Sequence, residues 1–167
     1  MRHSDFDIIS HERETFTGGN VSLAVGNNKH EYYVNGEGKL KYDVILASRP
    51  SKDYVEFSLA FPKGLVFDHQ AELTQWEILN GAHRREDVID SYAICWNRKN
   101  NKYKTGKLGH IFRAKWVDAE GFWIWGATVI DPISKQMRVF CNSEWLNKAN
   151  YPVVLDPVLG YDTVGAS

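Results

Sequence analysis

The sequence is short of most features that announce a specific chemistry. Its 167 residues contain two cysteines, Cys95 and Cys141, too few for a four-cysteine zinc site or a disulfide framework. Each lies in an apolar, strand-like run. The expected state is a pair of buried thiols, with a single cross-strand disulfide as the alternative, and no Cys-His arrangement suggests a nucleophile. Charge of one sign is also lacking. Twenty Lys and Arg against 21 Asp and Glu leave a formal net charge of −1, which argues against a dedicated nucleic-acid binder or an anionic-membrane binder. The longest apolar run, residues 122–130, is nine residues long and contains Thr128, so no membrane helix is encoded. The opening Met1-Arg2-His3-Ser4-Asp5 lacks the apolar stretch of a secretory signal. There is no Gly-x-Ser-x-Gly elbow, Walker loop or dinucleotide fingerprint.

What is present is a chain rich in strands and aromatics. It is 43% apolar and 13% aromatic, with six Trp, eight Tyr and eight Phe, and its length suits one domain with a sizeable core. Period-2 and β-branched runs predict strands over 5–10, 21–25, 31–34, 41–46, 54–61, 73–79, 88–96, 109–117, 122–130, 137–141 and 153–155. Turn residues separate them, as at Asn35-Gly36, Asn80-Gly81 and Asp131-Pro132. Val55, Phe57, Leu59 and Phe61 alternate with polar neighbours, and His110, Phe112, Ala114 and Trp116 are expected to face inward opposite Ile111, Arg113, Lys115 and Val117. Gly121 suits the positive φ of a tight 118–121 hairpin turn, and residues 110–130 with 137–141 suggest a three-strand meander. The single expected helical turn is 143–149, capped by Ser143, with Trp145, Leu146 and Ala149 toward the core. Pro152 and Pro157 bracket 153–155 and predict an edge strand. The fold class is therefore all-β: an antiparallel β-sandwich, jelly-roll-like or immunoglobulin-like, with about ten strands and at most one short helix. Residues 1–160 are expected to form a single sandwich domain and 161–167 a linker toward a following region.

Two features suggest ligand contact. Between residues 97 and 115 stand seven basic residues and no acidic one: Arg98, Lys99, Lys102, Lys104, Lys107, Arg113 and Lys115. Tyr103 is interleaved, so the stripe is able to contact an anionic glycan or cell-envelope polymer, although a solvated hairpin protecting a sheet edge has the same composition. The second feature is Trp123 and Trp125, which share one face of the 122–130 run. Rigid indole faces suit sugar stacking, and they suit core or interdomain packing equally. Trp123, Trp125, Tyr103, Arg98, Lys99, Lys102, Lys104 and Lys107 are the candidate ligand-binding residues.

No catalytic or metal-ligating set is assigned. Asp68, His69, Glu72, His83, Glu86, Asp87 and Asp90 fit neither a His-Glu-x-x-His nor a calcium-loop spacing. Calcium held by rim loops carrying Asp68, Asp87, Asp118 and Asp131 is the metal alternative. Glu56, Glu77 and Glu144 are candidates for glycosidase carboxylates, but 21 acidic residues make some such pair inevitable.

The C-terminal third carries a resemblance. The 101–113 segment, the 118–121 hairpin and the closing Tyr151-Pro152-Val153 and Asp156-Pro157 resemble a non-catalytic β-rich module of large bacterial surface, secreted and phage-associated proteins. Leu155 stands where Ile or Val is more usual. The resemblance implies a structural or spacer domain, extracellular or in a virion, whose partners are neighbouring domains of the same polypeptide, with no cofactor. It transfers no catalytic residue. The alternatives are a carbohydrate-binding module and a small glycan-cleaving enzyme.

Overall fold

A computed structural model describes residues 7–9, 21–25, 28–34, 40–96 and 107–160, the first forty-one positions by backbone alone. The elements run β1 (Asp7–Ile9), β2 (Val21–Val25), β3 (Asn28–Val34), β4 (Leu40–Leu46), β5 (Tyr54–Ala60), β6 (Leu65–Gln70), α1 (Gln75–Leu79), β7 (Ser91–Trp96) and β8 (Lys107–Ile111). They continue with β9 (Lys115–Val117), β10 (Trp123–Trp125), β11 (Ala127–Asp131), β12 (Gln136–Phe140), α2 (Ser143–Lys148), β13 (Val153–Asp156) and β14 (Val158–Gly160). The fold is all-β and sandwich-like, and every strand pairing is antiparallel.

One sheet has the order β1-β5-β12-β11. In the other, β13 and β14 lie in one unbroken register along β4, with Val153 opposite Leu46 and Leu159 opposite Leu40. Beyond β4 come β3 and then β2. On the other side of β13 and β14 run β9 and β8, flanked in turn by β10 and by β7 with β6. Tyr42, Val44 and Leu46 of β4, Val153 and Leu155 of β13 and Trp116 of β9 form the buried face of this sheet. Against them pack Phe57 and Leu59 of β5, Met137 and Val139 of β12, and Ile130 of β11. The Tyr42 and Phe57 rings meet edge to face at 5.3 Å, and the buried Trp116 indole N–H donates to the Phe140 carbonyl at 3.1 Å. That bond satisfies a polar group in the core while tying the two sheets together.

The alternation predicted for 110–117 is interrupted. Leu159 pairs with Ile111, whereas Leu155 pairs with Trp116, so the β8–β9 strand carries one residue more than its partner over the intervening stretch. The resulting bulge reverses the parity of the strand. Ile111, expected outward, joins Trp116 in the core, while His110 is buried on the other face. There the Ser91 hydroxyl donates to the Val88 carbonyl and accepts from His110 Nε2, 2.6 Å away.

Other expectations are corrected. Residues 73–79 hold no strand: α1 is a second helix, started by a capping box in which Thr74 and Glu77 each satisfy the other's backbone N–H. None of its residues is buried, and Trp76, Ile78 and Leu79 are exposed. In α2 the cap is Asn142, which accepts from the Trp145 N–H at 3.0 Å, in place of Ser143. Leu146 is buried and Trp145 and Ala149 partly so, as predicted. The 153–155 run is internal, between β4 and β9. Pro152 precedes the strand, and Pro157 still gives its carbonyl to the Tyr42 N–H at 3.4 Å, so the two prolines cost the ladder little. The expected meander is divided, since β9 and β10 belong to one sheet and β11 and β12 to the other.

The chain changes sheets at Gly126. A Cβ there would stand 2.9 Å from Trp116 Nε1 and 3.0 Å from Val139 Cγ1, so the crossing requires a residue without a side chain. Neither Cys95 nor Cys141 is in a disulfide, and of the two thiols expected to be buried Cys141 is buried and Cys95 only partly so. Residues 161–167, expected as a linker, lie outside the described residues.

Candidate functional site

The 118–121 turn sets the position of both tryptophans. Gly121 has φ of 88°, and the Asp118 carboxylate accepts from the Glu120 and Phe122 N–H groups at 2.9 Å and from the Asn150 N–H at 3.2 Å. Burial pushes the Asp118 carboxyl upward, but the donations from Asn150, Phe122 and Glu120 outweigh it and hold the group below its ordinary range. The hairpin register that follows puts Trp123 opposite Val117 and Trp125 opposite Lys115. Both indoles lie on the outer face, with ring centroids 5.2 Å apart at an interplanar angle of 78°.

Two cations are seated on these rings. Lys115 Nζ lies 4.2 Å from the Trp123 centroid and 4.8 Å from that of Trp125, and the Arg113 guanidinium carbon is 4.9 Å from the Trp125 centroid. Asp156 stands opposite Lys115 in the ladder but makes no ion pair with it. Among the described residues, neither the Lys115 ammonium nor the Arg113 guanidinium has a carboxylate or hydrogen-bonding partner, and Arg113 Nε is buried without an acceptor.

A remote loop completes the surface. The Arg113 N–H donates to the Asp87 carbonyl at 2.8 Å, drawing residues 83–87 against β9. Between them is an open depression of about 470 Å³ lined by His83, Arg84, Arg85, Glu86, Asp87, Lys115 and Trp125. Arg85 is neutralised by Asp87, with Nε donating to Oδ1 at 3.0 Å and Nη2 to Oδ2 at 2.5 Å. Arg84 donates to the Ala71 carbonyl.

The predicted site is thus partly assembled. Trp123 and Trp125 come together on an accessible face. Lys107 is exposed at the start of β8, eight residues and about 25 Å along the strand direction from Lys115, so it does not share this surface. Arg98, Lys99, Lys102, Tyr103 and Lys104 lie outside the described residues. Arg113 and Lys115, read as part of the basic stripe, were not assigned to the tryptophans. A three-residue 119–121 loop with Gly121 at its positive-φ position gives the 115–125 pairing, whereas a two-residue loop would pair 115 with 124, so the sequence signal fixed the hairpin but not its register. Nothing local in the sequence announces the contribution of residues 83–87.

A second surface adjoins the first. Among the described residues, β10 pairs with β9 alone and β11 with β12 alone. The continuous segment from Phe122 to Ile133 therefore edges both sheets. Along it Phe122 is 66% exposed, Trp123 48%, Val129 52% and Ile133 93%.

The other candidate groups serve local structure. Glu56 Oε2 pairs with Arg138 Nε at 2.6 Å, and Glu77 is held by Thr74, whose hydrogen bonds pull its carboxyl downward. Asp131 accepts from Ser134 and Ile133 in its own turn. His69 pairs with Asp90 at 2.6 Å. Among the described residues, no three His, Cys, Asp or Glu side chains gather into a metal-binding group. Burial pushes the Cys141 thiol up to about 12, so it carries no thiolate at neutral pH. No helix of the described residues is long and apolar enough to cross a membrane.

Comparison with protein families, characterised proteins and solved structures finds no match to this chain.

Proposed function

We propose that the chain is a non-catalytic structural module of a larger extracellular or virion protein, and that the Phe122–Ile133 edge is where a neighbouring domain of the same polypeptide packs. The observation that carries this reading is the coincidence of exposed apolar side chains with two strand edges that are unpaired among the described residues. Natural sheets protect such edges with charge, proline or a covering element. Here β11 (Ala-Thr-Val-Ile-Asp) presents Ala127 and Val129 outward with no lysine between them. A covering domain removes that apolar area from water and supplies partners for the edge backbone groups that lack a ladder partner among the described residues.

The test places charge on the edge. Val129→Lys and Ile133→Lys point into solvent in the isolated chain, so its unfolding midpoint stays within about 0.5 kcal/mol of the parent sequence. In the longer polypeptide the same substitutions are expected to expose the 122–133 segment to limited proteolysis. Equal cleavage with and without the substitutions contradicts the proposal.

A second reading is favoured by one specific observation: Trp123 and Trp125 form a partly open aromatic surface beside a depression, which suits a carbohydrate-binding module. A glycan array separates it from the purely structural reading. Saturable binding that disappears in Trp123→Ala, with folding retained, supports carbohydrate recognition.

A further inference from the structure

The carbohydrate reading of the Trp123–Trp125 surface leaves its ligand class open, and the inference here rests on that reading. We infer that the surface selects an acidic saccharide, one bearing carboxylate or sulfate groups, through Lys115 and Arg113. Two positive charges converge on the Trp125 ring, at 4.8 Å and 4.9 Å from its centroid. Neither meets a carboxylate among the described residues. The other charges facing the depression largely cancel, because Arg85 is paired with Asp87 and Glu86 balances Arg84. Within that lining the unbalanced charge is that of Lys115, to which Arg113 adds its own beside Trp125, with Asp156 across the ladder from Lys115 but in no ion pair with it.

Their indole contacts hold both side chains against Trp125, which with Lys115 lines the depression. Less conformational entropy is then lost when an anion binds. The Arg113 fork matches a carboxylate or sulfate edge, and Lys115 acts as a point charge beside it. Trp123, nearly half exposed, offers an apolar face to a neighbouring pyranose ring. The Lys115 ammonium lies 4.2 Å from the Trp123 centroid, which matches an anionic substituent carried beside a sugar face. The overall charge of −1 means that the molecule as a whole does not attract polyanions and any attraction is local, which favours a short acidic saccharide over a nucleic acid.

Titration calorimetry on the full 167-residue chain tests the assignment. The probes are a heparin tetrasaccharide, a tetragalacturonate, neutral maltotetraose and a single-stranded oligonucleotide. The expected result is saturable binding of at least one acidic tetrasaccharide, stronger than either maltotetraose or the oligonucleotide. Lys115→Gln and Arg113→Gln each weaken it about tenfold, the scale of one charge-assisted hydrogen bond. Lys115→Arg retains most of the affinity, and thermal unfolding verifies that each variant is folded. Equal or stronger binding of maltotetraose, unaffected by Lys115→Gln, overturns the assignment of charge while leaving carbohydrate recognition intact. Preference for the oligonucleotide overturns the saccharide assignment. No binding of any probe overturns both this inference and the carbohydrate reading, leaving the structural module.

Discussion

Gly126 decides where the chain leaves one sheet for the other. Its amide donates to the Ala114 carbonyl at 2.9 Å, while Trp116 and Val139 occupy the space a side chain would need. Gly126→Ala is expected to destabilise the fold by about 1–3 kcal/mol, the usual cost of overpacking a filled core, read from the urea midpoint at constant m. The tryptophans on either side have opposite fates for the same geometric reason. Trp116 points between the sheets and is fully buried, whereas Trp123 and Trp125 lie on the outer face of the same hairpin. Sequence composition does not distinguish core from surface tryptophans, but strand parity does. The separation of Trp123, Trp125, Ala127 and Val129 from Ile124, Gly126, Thr128 and Ile130 was legible, because no bulge interrupts that run.

Among the elements, the β8–β9 strand shows what simple alternation misses. A bulge adds one residue, and every side chain beyond it changes face. Period-2 reading predicts that Ile111 is at the surface, where truncation costs little. In the structure it is buried against the core, so Ile111→Ala is expected to cost about 2–5 kcal/mol in equilibrium unfolding. A loss under about 0.5 kcal/mol would mean that the alternation is uninterrupted. Helix α1 was missed for a different reason. Residues 73–79 are rich in apolar side chains, which suggests a strand, but Thr74-x-x-Glu77 is a helix-start signal that outweighs the four apolar residues Leu73, Trp76, Ile78 and Leu79. The internal position of β13 was hidden by its flanking prolines, because which backbone groups a proline removes depends on a register that the sequence does not state.

At the scale of the whole molecule, the site depends on chain segments far apart in sequence. The 113–125 segment supplies the rings and two cations, and the loop at 83–87 supplies the opposite wall, held by the Arg113–Asp87 backbone bond. The all-β class was legible from turn spacing and alternation, since both are local. The meeting of residues 83–87 with 113–125 was not, because it follows from sheet order. Sheet order also sets the 122–133 edge, since among the described residues one sheet ends at β10 and the other at β11. Neither end can be read from the composition of the 122–133 run.

The proposed structural role depends on that edge being covered in the longer polypeptide. Hydrogen exchange of the 127–131 amides, measured in the isolated 167-residue chain and in the polypeptide that contains it, tests this most directly. Apart from Ile130, whose backbone meets the Tyr92 hydroxyl, the outward-facing amides of β11 lack a ladder partner among the described residues and are expected to exchange readily in the isolated chain. In the longer polypeptide their exchange slows at least tenfold while that of β5 and β12 is unchanged. Identical exchange in the two contexts would contradict the covered edge and the structural role drawn from it.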